Sequence, residues 1–201
     1  HYLQDYAQSE AVVAELPYWQ ALANQCIAPL PVDYAITAGQ DTVASAALVK
    51  CSLSRTETEA LLQEVPAVYH TQINDLLLTA LVQSFTEWTG QTSLLIDLEG
   101  HGREDLHESL HLANTVGWFT ALFPHLLQLP SVEGIDGMGE AIQAIKEQNR
   151  QIPQHGIGYG LLRYLNPITA PQLASLPHAK VSFNYGGQFS SETAMDTLGG
   201  E

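Results

Sequence analysis

The chain is poor in cations. Its 201 residues carry 7 Lys and Arg against 22 Asp and Glu, a formal charge of -15. Such a charge repels phosphate backbones and anionic lipid surfaces at long range, which argues against nucleic acid and against the membrane surface as partners. Long apolar runs are missing too. No stretch approaches the roughly 20 residues that a bilayer span requires. Cysteine is scarce: Cys26 and Cys51 stand alone without C-x-x-C spacing, so neither a disulfide framework nor a thiol redox pair is indicated. Internal repeats and low-complexity tracts are absent, and no secretory signal opens the sequence, which makes the cytoplasm the expected compartment.

What is present is an ordinary globular composition, 45% apolar with 15 Gly and 10 Pro. Residues 5 to 24 have helical character, with Pro17 marking a break or a fresh first turn. Ile27 to Ala44 is rich in Pro, Gly, Asp and Thr and is expected to be an exposed connection. Ala47 to Leu53 alternates, predicting a first strand with Cys51 buried on it. Ser54 and Glu57 form a capping box for a helix that runs through Gln63 and stops at Pro66. Asn74 is expected to cap the next helix, with Ile73 and Leu78 as its hydrophobic staple. Along it Leu77, Leu81, Phe85 and Trp88 recur at helical spacing as the core face.

Thr92 to Leu98 is a short apolar run between Gly90 and Gly100, a buried strand by length and flanks. Strands are also predicted over Trp118 to Leu127, with Trp118 as a core anchor, and over Ala179 to Phe189. Between them lies a helix from Met138 to Arg150, bearing Met138, Ile142 and Ile145 on one side and stopped by Pro153. The order strand, helix, helix, strand, strand, helix, strand suits a layered α/β sandwich.

The chemistry concentrates where the Thr92–Leu98 run ends. Leu98-Glu99-Gly100-His101-Gly102-Arg103-Glu104 mounts a carboxylate between an apolar strand and a glycine-opened backbone, a setting suited to a general base. His107-Glu108-Ser109-Leu110-His111 is a literal H-E-x-x-H, the pattern of zinc hydrolases. Gly102 before it and Gly117 after it confine any helix there to two or three turns, and Asn114 and Gly117 stand where an extended zinc signature needs Gly and His. No metal site is therefore expected, and zinc hydrolysis is a remote alternative. The Gly156-Ile157-Gly158-Tyr159-Gly160 run lacks the flanking strand and Lys of a phosphate loop and is expected to be a loop of close backbone approach.

Five segments in order, Asp75-Leu76-Leu77-Leu78-Thr79-Ala80, EGHGRE, Thr115-Val116-Gly117-Trp118-Phe119-Thr120, Pro153 to Gly160, and Phe183-Asn184-Tyr185-Gly186-Gly187-Gln188, resemble the ordered signature of epimerization domains of nonribosomal peptide synthetases, within the condensation-domain superfamily. The resemblance implies a chloramphenicol-acetyltransferase-like α/β lobe. It also implies inversion of the α-carbon, L to D, of an aminoacyl or peptidyl thioester held on the 4'-phosphopantetheine arm of a peptidyl carrier protein, with no cofactor bound intrinsically. Glu99, Tyr185 and Asn184 take the catalytic positions; His101, Arg103, Trp118, Gly156, Gly158 and Tyr159 take substrate-binding ones.

The family's HHxxxDG motif has no counterpart here, since the chain contains no His-His pair. The chain accordingly resembles the C-terminal lobe alone, with residues 1–45 a lead-in helix and connection and residues 46–201 the α/β core. An N-terminal lobe carrying HHxxxDG is the implied partner. Asn114, Phe123 and Gly186 depart from the Arg, Tyr and Leu that the family favours. Two alternatives share the fold: a condensation domain forming peptide bonds, and a docking lobe without chemistry of its own.

Overall fold

The computed structural model describes residues 2–34, 42–104, 106, 112, 114–130 and 137–188. Its centre is a three-stranded sheet in the order β2-β1-β3, formed by β1 (Ser93–Gly100), β2 (Ala121–Gln128) and β3 (Val181–Phe183). β1 and β2 are antiparallel with Ser93 opposite Gln128 and Gly100 opposite Ala121, whereas β3 runs parallel to β1 with Phe183 beside Leu98. Leu94, Leu95 and Ile96 are all buried, as expected of a central strand covered on both faces.

Helices α6 (Ile73–Thr89) and α7 (Gly137–Arg150) cover one face. Leu78 and Val82 of α6 and Ile145 of α7 pack there against Leu94, Ile96 and Leu127. A second core gathers the short helices α1 (Tyr2–Tyr6), α2 (Glu10–Val13), α3 (Leu16–Gln20), α8 (Ile157–Gly160) and α9 (Ala170–Leu173). Trp19 and Val12, both fully buried, meet Phe123, Leu161, Leu162 and Leu173 in it, and Leu98 touches both cores. Among the described residues no helix is long and apolar enough to cross a membrane.

Several local expectations hold. The Ser54–Glu57 capping box opens α4 (Arg55–Glu59), with the Ser54 N–H donating to Glu57 Oε2 at 2.7 Å. Pro17 sits in the first turn of α3, but residues 5–24 form no single helix, because Ser9 leaves helical geometry to cap α2. Other expectations are corrected. Ala47–Leu53 forms no strand: it is exposed, Cys51 with it, and it pairs with none of the three strands of the sheet. Pro66 does not stop its helix. A π-helical turn over Ala60–Glu64 widens the spiral so that the Val65 N–H reaches the Ala60 carbonyl; Pro66 then falls in the first turn of α5 (Val65–Tyr69), where its missing N–H costs nothing.

The cap of α6 is Gln72, not Asn74: the Gln72 N–H donates to Asp75 Oδ2 at 2.8 Å. The buried stripe of α6 is likewise turned from the expected one, running through Asp75, Leu76, Leu78, Thr79 and Val82, while Trp88 is exposed. On α7, Ile142 and Ile145 are buried with Ala141, but Met138 lies outside. The strands at both edges begin or end short: β2 starts at Ala121, leaving Trp118 90% exposed instead of in the core, and β3 stops at Phe183. The glycine run 156–160 is mainly helix α8, not an open loop.

A buried polar chain joins the layers. Asn149 of α7 donates from Nδ2 to Asp75 Oδ1 at 2.7 Å, and its Oδ1 lies 3.0 Å from His125 Nε2 on β2. Since Asn149 Oδ1 can only accept, the His125 proton resides on Nε2. Burial lowers the His125 pKa to about 4, partly offset by the Asn149 hydrogen bond, so the ring is neutral near pH 7.

Candidate active site

Glu99 lies one residue before the end of β1, directly opposite Leu122. Because side chains alternate across a strand, Leu95, Asp97 and Glu99 share a sheet face with Leu122, Pro124 and Leu126, away from α6 and α7. On that side a cavity of about 670 Å³ is lined by Asp97, Trp118, Phe119, Leu122, Tyr159, Arg163, Tyr164 and His178, among others. Burial raises the Asp97 carboxyl above its ordinary range, opposed by the nearby His178. Burial also raises the Tyr159 phenol, with Tyr164 adding to the effect.

The loop leaving β1 is fixed by contacts that span the chain. Gly102 adopts φ +64°, and a Cβ there would stand 1.6 Å from the Phe119 carbonyl oxygen, so only glycine lets the two motifs touch. Arg103 stacks its guanidinium 4.2 Å from the Phe119 ring centroid and donates to the Leu112 carbonyl. The side chain is thereby occupied in joining EGHGRE to the Thr115–Thr120 motif. His101 accepts the Arg103 N–H on Nδ1 at 3.0 Å and turns Nε2 toward Glu104 at 3.3 Å. Glu104, whose side chain is only 15% exposed, also meets His155 Nδ1 at 2.9 Å, linking this loop to the start of the glycine run.

Within that run Gly156 and Gly158 are buried. A Cβ on Gly156, at φ +86°, would enter the Phe123 ring at 2.0 Å; one on Gly158 would meet Glu15 Oε2 at 1.9 Å. Glu15 is itself buried, accepts from the Trp19 indole N–H at 3.3 Å, and has its pKa raised by desolvation. Tyr159 packs 5.2 Å from the Trp19 ring and also lines the cavity. Asn184 and Tyr185 follow β3 directly. One residue beyond the Leu98–Phe183 pair lie Glu99 and Asn184, the latter exposed and Tyr185 half-buried.

The structure thus brings Trp118 and Tyr159 to one cavity beside the face that carries Glu99. It keeps His101 and Arg103 in the loop lattice, and Gly156 and Gly158 in the packing beneath. Asp97, Arg163, Tyr164 and His178 were not singled out from sequence; for Asp97 a signal existed, a charge alternating with Glu99 in an otherwise apolar strand. The H-E-x-x-H string lies outside the described residues. Among those described, no group of three or more His, Cys, Asp or Glu side chains is arranged to hold a metal ion.

Sheet, helical layers and glycine-braced loop make a mixed α/β fold. The profile described as the condensation domain matches residues 1–200, and the chain belongs to that family. It is 48% identical over 195 residues, 97% of its length, to a linear gramicidin synthase polypeptide of Brevibacillus parabrevis, of which it spans 2%. Among solved structures it is similar to the epimerization domain from the third module of tyrocidine synthetase B, with TM-score 0.86, 38% identity, and coverage of 96% of this chain and 42% of that one. Against the first condensation domain of the calcium-dependent antibiotic synthetase the TM-score is 0.59 at 15% identity, covering 90% of this chain and 35% of that one, a likeness of fold alone.

Proposed function

We propose that the chain is the C-terminal lobe of an epimerization domain that inverts the α-carbon of an aminoacyl or peptidyl thioester. The observation that carries this reading is Glu99, presented on the sheet face beside the large cavity, in a chain that is 38% identical to a solved epimerization domain across 96% of its length. The much weaker likeness to the solved condensation domain disfavours the peptide-bond-forming alternative. The proposed partners are an N-terminal lobe bearing the HHxxxDG histidine and a peptidyl carrier protein in the cytoplasm, whose 4'-phosphopantetheine arm delivers the substrate.

The thioester acidifies the α-hydrogen by delocalising the charge left behind, so the protein's task is to position proton carriers and to stabilise developing negative charge. Glu99 takes the α-proton on one face of the carbon, and a histidine from the N-terminal lobe returns a proton on the other. Asn184 and Tyr185, next to the Glu99 end of β1, supply an amide and a phenol that can donate to the thioester oxygen as it gains charge. Arg103 and Gly102 act on Glu99 through the loop, holding the strand exit against the Phe119 segment, while Glu104 ties the same loop to His155.

The reading predicts that Glu99→Gln, in the domain with its N-terminal lobe restored, stops deuterium wash-in at the α-carbon of a carrier-bound aminoacyl thioester without loss of cooperative unfolding. Mass spectrometry following an undiminished exchange rate would refute the assignment.

A further inference from the structure

We infer that the cavity lined by Asp97, Trp118, Leu122, Tyr159 and Tyr164 receives the side chain of the residue being inverted and selects a large apolar, preferentially aromatic one. The inference rests on the epimerization reading, because it takes Glu99 as the base. A base works within about 3 Å of the proton it removes, which holds the α-carbon close to the Glu99 carboxylate. The substrate side chain departs one bond from that carbon. Glu99 and Leu122 are direct partners across the antiparallel pair, where Cβ atoms stand roughly 5 Å apart on one face. Leu122 lines the cavity, so the cavity begins at the cross-strand neighbour of Glu99.

Its walls suit an apolar guest. Trp118 is 90% and Leu122 49% exposed, apolar surface that the described chain leaves uncovered on the rim. Of the charged or titratable groups on the wall, His178 lies near enough to Asp97 to stabilise its carboxylate, and the Arg163 guanidinium lies 5.1 Å from the Tyr164 ring. About 670 Å³ falls within the range of pockets that enclose drug-sized ligands, ample for an indole or phenyl ring. An acidic side chain would bring a second carboxylate beside the half-buried Asp97, in a protein of net charge -15. The other sizeable pocket, around Lys146, Arg150 and His155, offers less, because each of these side chains already meets a partner: the Tyr69 carbonyl, Glu147 and Glu104.

The test loads the carrier with phenylalanyl, leucyl, alanyl and glutamyl thioesters and measures α-deuterium wash-in by the complete two-lobed domain. Phenylalanyl and leucyl thioesters should exchange at least about tenfold faster than glutamyl, the discrimination that an apolar pocket commonly reaches. Leu122→Trp, which fills the cavity next to Glu99, should lower the phenylalanyl-to-alanyl rate ratio about tenfold, and Trp118→Ala should lower it in a variant that removes bulk instead of adding it. Equal rates for all four thioesters, with both variants changing them alike, would overturn the cavity assignment and leave the epimerization reading standing. Exchange with none of them would remove that reading and the inference together.

Discussion

Acidification should loosen this fold through His125, and the size of the effect follows from its burial. The ring is 4% exposed, hydrogen-bonded to a neutral amide, and titrates near pH 4 instead of near 6.5. Between those values the unfolded chain binds a proton that the folded chain refuses, so stability rises with pH across this window and is lost as pH falls from about 6.5 toward 4. At about 1.4 kcal/mol per unit the full loss is on the order of 3 kcal/mol, a large share of the 5–15 kcal/mol typical of a domain. The surplus of acidic groups works in the opposite sense, since protonating carboxylates relieves self-repulsion in a chain of net charge -15.

A variant therefore isolates the ring. His125→Leu leaves Asn149 Oδ1 without its donor, a penalty of roughly 1–3 kcal/mol that does not depend on the ring's titration. Urea midpoints of wild type and variant, followed by far-UV circular dichroism at pH 7, 5.5 and 4.5, should converge as pH falls and cross if the penalty is smaller than the proton term. Stability curves that stay parallel over the whole window would show that His125 carries no such linkage, and the assignment of a neutral, buried ring would lose its support.

Gly102→Ala should unfold or misplace the loop after β1, because the substitution adds a backbone collision with Phe119 to the ~1–2 kcal/mol cost of a left-handed alanine; a melting temperature within about a degree of wild type would contradict this. Arg103→Leu should cost about 0.5–1 kcal/mol from the lost contact with Phe119, read as a lowered urea midpoint, and it should slow α-hydrogen exchange in the complete domain by loosening the strand exit. An unchanged midpoint together with unchanged exchange would leave Arg103 without the bracing role.

Sequence alone determined the features whose cause is local. The Ser54–Glu57 box needs only neighbours one helical turn apart, and it forms as expected. The apolar run after Gly90 is a strand because its residues are apolar on both faces, and the run from Gly137 to Arg150 is a helix that presents Ile142 and Ile145 inward. Glu99 at a strand exit followed by a left-handed Gly102 could be anticipated for the same reason.

Tertiary structure decided whatever depends on a distant partner. Ala47–Leu53 has the alternation of a strand, yet a strand needs a neighbour brought alongside, and this segment lies exposed and apart from the three-stranded sheet. Pro66 punctuates only if the helix stays α, and the π turn before it removes the clash. Arg103 looks like a ligand group in a loop until Phe119 closes over it, and Gly158 looks like an open glycine until Glu15 occupies the space of its missing side chain. The His125–Asn149–Asp75 chain joins residues 24 and 74 positions apart, and the cavity wall joins Asp97 to Arg163 and His178. A charge or ring in the sequence states what it can bond to, but only the packing of strands and helices fixes which partner comes within reach.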